Sequence, residues 1–256
     1  MTPADLSMKE RFALAADCGF EAVEAYTMSD QKLVEETRAA AEAAKIRIHS
    51  VMNSDHWKFP LSSPDSQIAD KCLEGMRTSL RNAKDWGATT VLLVPAVVDA
   101  KTSYQQAWDR SSDGIKKLLP LAKELKVTIA VENVWNKFLL SPIEFNHFVD
   151  SFKTPYLKAY FDVGNIVLYG YPQDWIHALG PRIAKLHFKD FRFKKGLAEF
   201  VALRDGDIDW PEIHRALTDI KYEGYATVEL SRGDGAYLKE VSRRFDLILN
   251  GEPKPA

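Results

Sequence analysis

Along this chain, short apolar runs rich in β-branched residues alternate with longer stretches whose apolar positions recur every three or four residues. The short runs lie at 21–26, 46–52, 89–94, 127–132, 157–162, 183–188 and 225–230. Helical patterns cover 32–45, 65–86, 104–125, 142–152, 172–179, 210–220 and 237–249, and another at 8–18, ended by Gly19, precedes the first run. Strand followed by helix, repeated, predicts βαβ units around a parallel sheet. Runs such as Thr90-Val91-Leu92-Leu93-Val94 and Thr128-Ile129-Ala130-Val131 are almost continuously apolar. That suits strands covered on both faces. Helix starts agree, with Ser141-Pro142 before Glu144 and Asp209 before Trp210-Pro211-Glu212.

The spacing of the units fits an α/β fold of the parallel (β/α)8 TIM-barrel type, a single domain over residues 1–256. Seven strands are visible where a closed barrel has eight. The first strand is therefore expected to be missing or truncated, lying upstream of Met1 unless residues 2–6 stand in for it. An open, doubly wound sheet is the competing architecture.

Composition narrows the function. With 46% hydrophobic and 27% charged residues over 256 positions, the chain reads as an ordinary globular protein. A net charge of -2 argues against nucleic acid and against a membrane surface as partners. Cys18 and Cys72 show no ligand spacing and read as small buried hydrophobes in a reducing compartment. No secretory leader and no membrane-spanning run is seen, so a cytoplasmic location is expected.

The late strands end alike. Val127–Val131 leads into Glu132-Asn133, 157–161 into Asp162-Val163-Gly164-Asn165, 183–186 into His187, and 226–228 into Glu229. In a parallel barrel all carboxyl ends of strands face one side, where ligands bind. Three carboxylates and one imidazole converging there would repel one another without a cation. With one, they form a mixed oxygen and nitrogen shell suited to Mn²⁺, Co²⁺, Mg²⁺ or Zn²⁺.

These segments, together with Leu186-His187-Phe188-Lys189-Asp190, Gly206-Asp207-Ile208-Asp209-Trp210 and Thr227-Val228-Glu229, resemble the sugar phosphate isomerase/epimerase superfamily of xylose-isomerase-like barrels. Asp162-Val163-Gly164-Asn165 and the loop 54–65 look most like its L-ribulose-5-phosphate (L-xylulose-5-phosphate) 3-epimerase branch. The resemblance implies one divalent metal, Mn²⁺ before the others, bound by Glu132, Asp162, His187 and Glu229. It also implies that Glu132 and Glu229 form the acid/base pair of a sugar or sugar phosphate isomerase.

The chemistry expected is 3-epimerisation of a ketose or ketose phosphate. A cation at the ketone stabilises the enediolate while one glutamate takes the C3 proton and the other returns it on the opposite face. A hydroxypyruvate-type isomerase, an inosose-type dehydratase and a non-catalytic sugar-binding module are the alternatives. Multi-zinc nucleases of the superfamily need more ligand histidines than the six present here. Expected substrate contacts are Glu24, His56, Trp57, Trp135, Asn165, Lys189, Arg192 and Arg204, with Asn136 beside them. Lys189, Arg192, Lys194, Lys195 and Arg204 form a basic cluster suited to a phosphate, and Ser231-Arg232-Gly233 is a second such candidate. A homo-oligomer is compatible with all of this.

Overall fold

The computed structural model describes residues 1–194 and 197–254. Helix α1 (Met8–Asp17) precedes β1 (Ala22–Tyr26), and α2 (Gln31–Ala44), β2 (Arg47–Met52), α3 (Ser66–Trp86) and β3 (Thr90–Leu93) follow. Then come α4 (Tyr104–Leu125), β4 (Thr128–Glu132), α5 (Pro142–Ser151), β5 (Leu157–Asp162), α6 (Pro172–Leu179) and β6 (Ile183–Phe188). The last elements are β7 (Asp190–Lys194), β8 (Leu197–Val201), α7 (Trp210–Asp219), β9 (Ala226–Val228) and α8 (Gly235–Leu249). Helix starts are set by side-chain caps that satisfy free amides. Ser7 and Ser103 form capping boxes with Glu10 and Gln106, while Asp30, Asp65, Ser141, Asp209 and Asp234 cap α2, α3, α5, α7 and α8.

Seven strands form one parallel sheet in the order β1-β2-β3-β4-β5-β6-β9. The order never reverses, which removes the doubly wound alternative, because that fold needs a switch point. The sheet curls until β9 faces β2 across the interior, where Thr227 Oγ1 meets His49 Nε2 at 2.8 Å and Arg47 Nη1 donates to Tyr225 Oη at 3.1 Å. The result is a nearly closed barrel of the TIM type. Residues 2–6 form no strand and do not complete it.

The main core lies between strands and helices, built from side chains such as Met76, Leu80, Ile115, Phe148, Phe161 and Trp210. A second, smaller cluster of Leu92, Ala130 and Tyr160 fills the barrel itself. Tyr160 is fully buried, with its hydroxyl 3.3 Å from both Ser50 Oγ and Thr227 Oγ1, and it floors the site above. The hairpin β7–β8 is antiparallel and separate from the barrel sheet. It replaces the basic loop expected after His187. Among the described residues, no helix is long and apolar enough to cross a membrane.

Candidate metal centre

The carboxyl ends of β4, β5 and β6 deliver Glu132, Asp162 and His187, and Glu229 follows β9 directly. Strand register does the gathering: Glu132 pairs with Tyr160, and Asp162 with His187. One ligand atom from each of Glu132, Asp162, His187 and Glu229 lies within 4.8 Å of the others. His187 Nδ1 is 2.8 Å from Glu132 Oε1, 3.6 Å from Glu229 Oε2 and 3.9 Å from Asp162 Oδ2.

Backbone and amide bonds hold this geometry. Asn133 donates from Nδ2 to the Asp162 carbonyl at 2.8 Å and accepts the Asp162 N–H at 2.8 Å, locking the ends of β4 and β5 together. Asp162 Oδ1 accepts the Asn165 N–H, and Asn165 Nδ2 returns to the Asn133 carbonyl. Gly164 lets this turn press on the next strand end; a Cβ there would lie 2.5 Å from the Lys189 carbonyl oxygen. Behind His187, Nε2 lies 3.0 Å from Glu24 Oε2, and Glu24 Oε1 also accepts from Ser50 Oγ. Such a carboxylate fixes the ring orientation of a ligand histidine and raises its basicity.

The electrostatics are severe. Burial raises the Glu132 carboxyl to about 7, against the pull of His187. Asp162 is also raised by burial, with Lys189 opposing. Burial pushes Glu229 up too, but His187 and Lys189 win and hold it below the ordinary range. His187 would be lowered by burial, yet Glu24 and Glu132 carry it well above the usual imidazole value. Lys189 Nζ sits 3.0 Å from Asp162 Oδ2 and 2.5 Å from Glu229 Oε2. The position among the carboxylates is therefore one that takes positive charge.

A divalent cation fits these residues. Asp162 Oδ2 is buried, and although Lys189 is near it, no hydrogen bond of acceptable geometry reaches it. An orphaned buried carboxylate oxygen calls for explanation, and a cation supplies one. Three carboxylates and one imidazole are a donor set for Mn²⁺, Co²⁺, Mg²⁺ or Zn²⁺.

The expected substrate contacts scatter. His56 is buried, its Nδ1 accepting the Val94 N–H, and Glu24 and Glu229 are among the charges it senses. Trp57 is half exposed and packs edge-on against His56. Trp135, also half exposed, stacks on Phe200 of the hairpin at 5.1 Å and meets Phe191 edge-on, so β7–β8 forms an aromatic roof. Lys189 joins the ligand cluster.

Four of the expected contacts have protein partners of their own. Glu24 is turned to His187. Asn165 is buried and spent on the turn, its carbonyl also accepting from Trp135 Nε1. Arg192 is held by Glu199 and the Asp205 carbonyl, and Arg204 donates to the Pro253 carbonyl. Asn136 ties a turn through Ala96 and Phe138. The Gly233 N–H, a candidate phosphate contact, is taken by the Met1 carbonyl. Lys195 lies outside the described residues.

Asp190 went unnoticed in the sequence. Fully buried, it accepts from the N–H groups of Phe191 and Gly206 and from Trp210 Nε1. It pins the loop before α7, and a Cβ on Gly206 would collide with it. The pairing of Lys189-Asp190 with Gly206-Asp207-Ile208-Asp209-Trp210 was the signal available.

Known proteins agree with this architecture. The model of the xylose isomerase-like TIM barrel matches residues 12–246. The L-ribulose-5-phosphate 3-epimerase UlaE of Salmonella paratyphi A is 29% identical over 254 residues, covering 93% of this chain and 84% of its own. Among solved structures, the 3-keto-D-glucoside 4-epimerase YcjR of E. coli superposes with a TM-score of 0.82 at 12% identity, covering 98% of this chain and 96% of that one. An L-ribulose 3-epimerase gives 0.75 at 18% identity over 95% and 89%. Such low identities speak to the fold alone, whereas the family model spans most of the sequence. The chain belongs to the xylose isomerase-like TIM barrel family.

Proposed function

We propose that this isomerase is a sugar epimerase that inverts C3 of a ketose or ketose phosphate, with Glu132 and Glu229 as the proton-transfer pair. The observation that carries the reading is geometric: Glu132 at the end of β4 and Glu229 after β9 come from separate strands to one point, with a ligand atom of each, of Asp162 and of His187 all within 4.8 Å of one another.

Glu132, Asp162, His187 and Glu229 would hold the metal, Mn²⁺ by preference. When bound, a divalent cation supplies Lewis-acid stabilisation of negative charge on substrate oxygen. The protein's own residues do the rest. Glu229, ionised and the most open of the four, takes the C3 proton. Glu132, reaching in from β4, returns one from the other face. Glu24 keeps His187 oriented throughout. The floor of Tyr160 and the roof of Trp135 and Phe200 limit water around the carbanion. Trp57 and His56 form the side wall for the sugar.

A phosphorylated substrate is favoured by the similarity to UlaE, named as an L-ribulose-5-phosphate 3-epimerase. A cytoplasmic site of action belongs to the same reading. The test is incubation with Mn²⁺ and a panel of L-ribulose 5-phosphate, L-xylulose 5-phosphate and free ketoses in deuterated water. Deuterium at C3 together with the epimer is expected. Binding without exchange across the panel, or a dehydrated product, would overturn the proposal.

A further inference from the structure

The inner face of the barrel changes character towards its amino end. Side chains alternate across a strand, so the residues two places before Leu92, Ala130, Tyr160 and His187 share their inward side. Those residues are Thr90 on β3, Thr128 on β4, Lys158 on β5 and Lys185 on β6. Strand pairing sets Thr90 beside Thr128, and Lys185 beside Tyr160. Inward layers of such barrels are mostly bulky and aliphatic. This one carries two hydroxyls and two ammonium groups. All four residues line a cavity of about 380 Å³ at the end of the barrel opposite the candidate metal ligands.

Lys185 is the group that calls for a ligand. It is only 6% exposed. Among the described residues its ammonium makes no ion pair or hydrogen bond, and it lies over the Tyr225 ring at 4.8 Å. A lysine this buried is ordinarily paired, and an aromatic face offsets only part of the cost of burying a charge. The field of Glu24 reaches Lys185, but that carboxylate is bound to His187 and Ser50. Arg47, turned to Tyr225 Oη, adds further positive charge. Lys158 donates to the Pro181 carbonyl at 3.0 Å and keeps its other donors free for a ligand. Lys221 stands on the rim, as does Glu223, the one carboxylate among the described lining residues. Three ammonium groups against one carboxylate leave the cavity with two positive charges in excess.

We infer that this cavity is a second binding site, at the amino end of the barrel, for a phosphate-type dianion. Lys185 meets the anion from the barrel interior and Lys158 and Lys221 meet it nearer the rim, by charge-assisted hydrogen bonds. The hydroxyls of Thr90 and Thr128 supply neutral donors. A dianion matches the excess charge. An apolar ligand would leave Lys185 unpaired, and a cation would be repelled.

The test titrates inorganic phosphate into the metal-free protein, with chloride holding the ionic strength constant. Backbone amide chemical shifts are the readout, and they do not depend on activity. Saturable shifts are expected at Thr90, Thr128, Lys158, Lys185 and Lys221. Lys185→Met keeps the length of the side chain and removes its charge, and should weaken phosphate ~10–100-fold. Lys221→Ala, at an exposed position, should weaken it ~2–5-fold and keeps the test open if the first variant does not fold. Glycerol 3-phosphate replaces phosphate in a second titration. Tighter binding of the ester assigns the site to a phosphate monoester and the reverse to the free ion; both uphold it. The inference is overturned if acetate produces the same shifts as phosphate, or if shifts are confined to Glu132, Asp162 and Glu229. Unchanged affinity in both variants overturns it as well.

Discussion

The two sides of the candidate metal centre are built differently. From β4 to β6 each strand is paired on both sides, with one register shift between Ala159 and Tyr160 where β5 meets β6, and the Asn133–Asp162–Asn165 bonds tie the ends of β4 and β5. Glu132, Asp162 and His187 are accordingly buried. Across the mouth, Glu229 follows a strand of three residues, and Glu24 sits on the facing strand with a cavity between them. The difference teaches how rigidity is apportioned: a ligand is as fixed as the ladder that carries it. Three of the candidate ligands stand on strands paired on both sides, whereas the fourth follows a strand paired on one side only, its N–H donating to the Phe188 carbonyl at 3.1 Å.

The largest effect should come from removing a proton-transfer carboxyl on either side. Glu132→Gln and Glu229→Gln should each cut C3 exchange by ~10²–10⁴-fold. Near-normal turnover in either variant would refute that residue's role, and unequal losses would show which side carries the harder transfer.

Acid should act on the β2 side of the barrel. His56 in the loop after β2 and His49 in the brace to Thr227 are buried, and burial lowers them to about 4 and about 3. Their folded values lie below the unfolded value, so the unfolded chain takes protons that the fold refuses. Stability is complete above pH ~6.5 and falls as pH drops towards the folded values, by ~1.4 kcal/mol per pH unit for each histidine. Urea unfolding between pH 7 and 4.5 measures this, and His49→Gln should remove about half of the slope.

Asn133→Ala breaks the pinned side alone. It leaves the Asp162 N–H and carbonyl unpartnered in a buried setting, a cost of ~2–4 kcal/mol by denaturant melts. A loss below ~0.5 kcal/mol would show that the β4–β5 ladder suffices without the amide. Glu24→Gln acts on the open side and through His187: Mn²⁺ affinity by titration should fall ~10–100-fold with the fold intact. The smallest effect belongs to Arg192→Ala, where an exposed pair with Glu199 is worth ~0.2–1 kcal/mol. KM for a ketose phosphate should stay the same; a large rise would return Arg192 to the phosphate site.

Much of this was legible one residue at a time. The strand ends Glu132, Asp162, His187 and Glu229 stand where local apolar runs stop, and parallel strands necessarily bring such ends to one face. The hairpin was hidden because a single residue, Lys189, separates β6 from β7, and its charges mimic a loop. Glu24 and Asn165 were read as substrate contacts because both occupy the ligand-bearing end of the barrel, and the structure adds a protein partner for each. Which way each side chain turned depended on partners far off in sequence, His187 for one and Asn133 for the other. Asp190 escaped notice for the same reason, since its meaning lies in Gly206 and Trp210.

The sequence by itself determined the alternation of strand and helix, the convergence of the four candidate metal ligands on one face and the count of seven barrel strands. These follow from periodicity and position, which are local. Only the tertiary structure decided that Lys189 lies among the carboxylates, that Glu24 supports His187, and that a cavity lies between β9 and β1. Those outcomes depend on distance, burial and charge summed over elements remote in the chain.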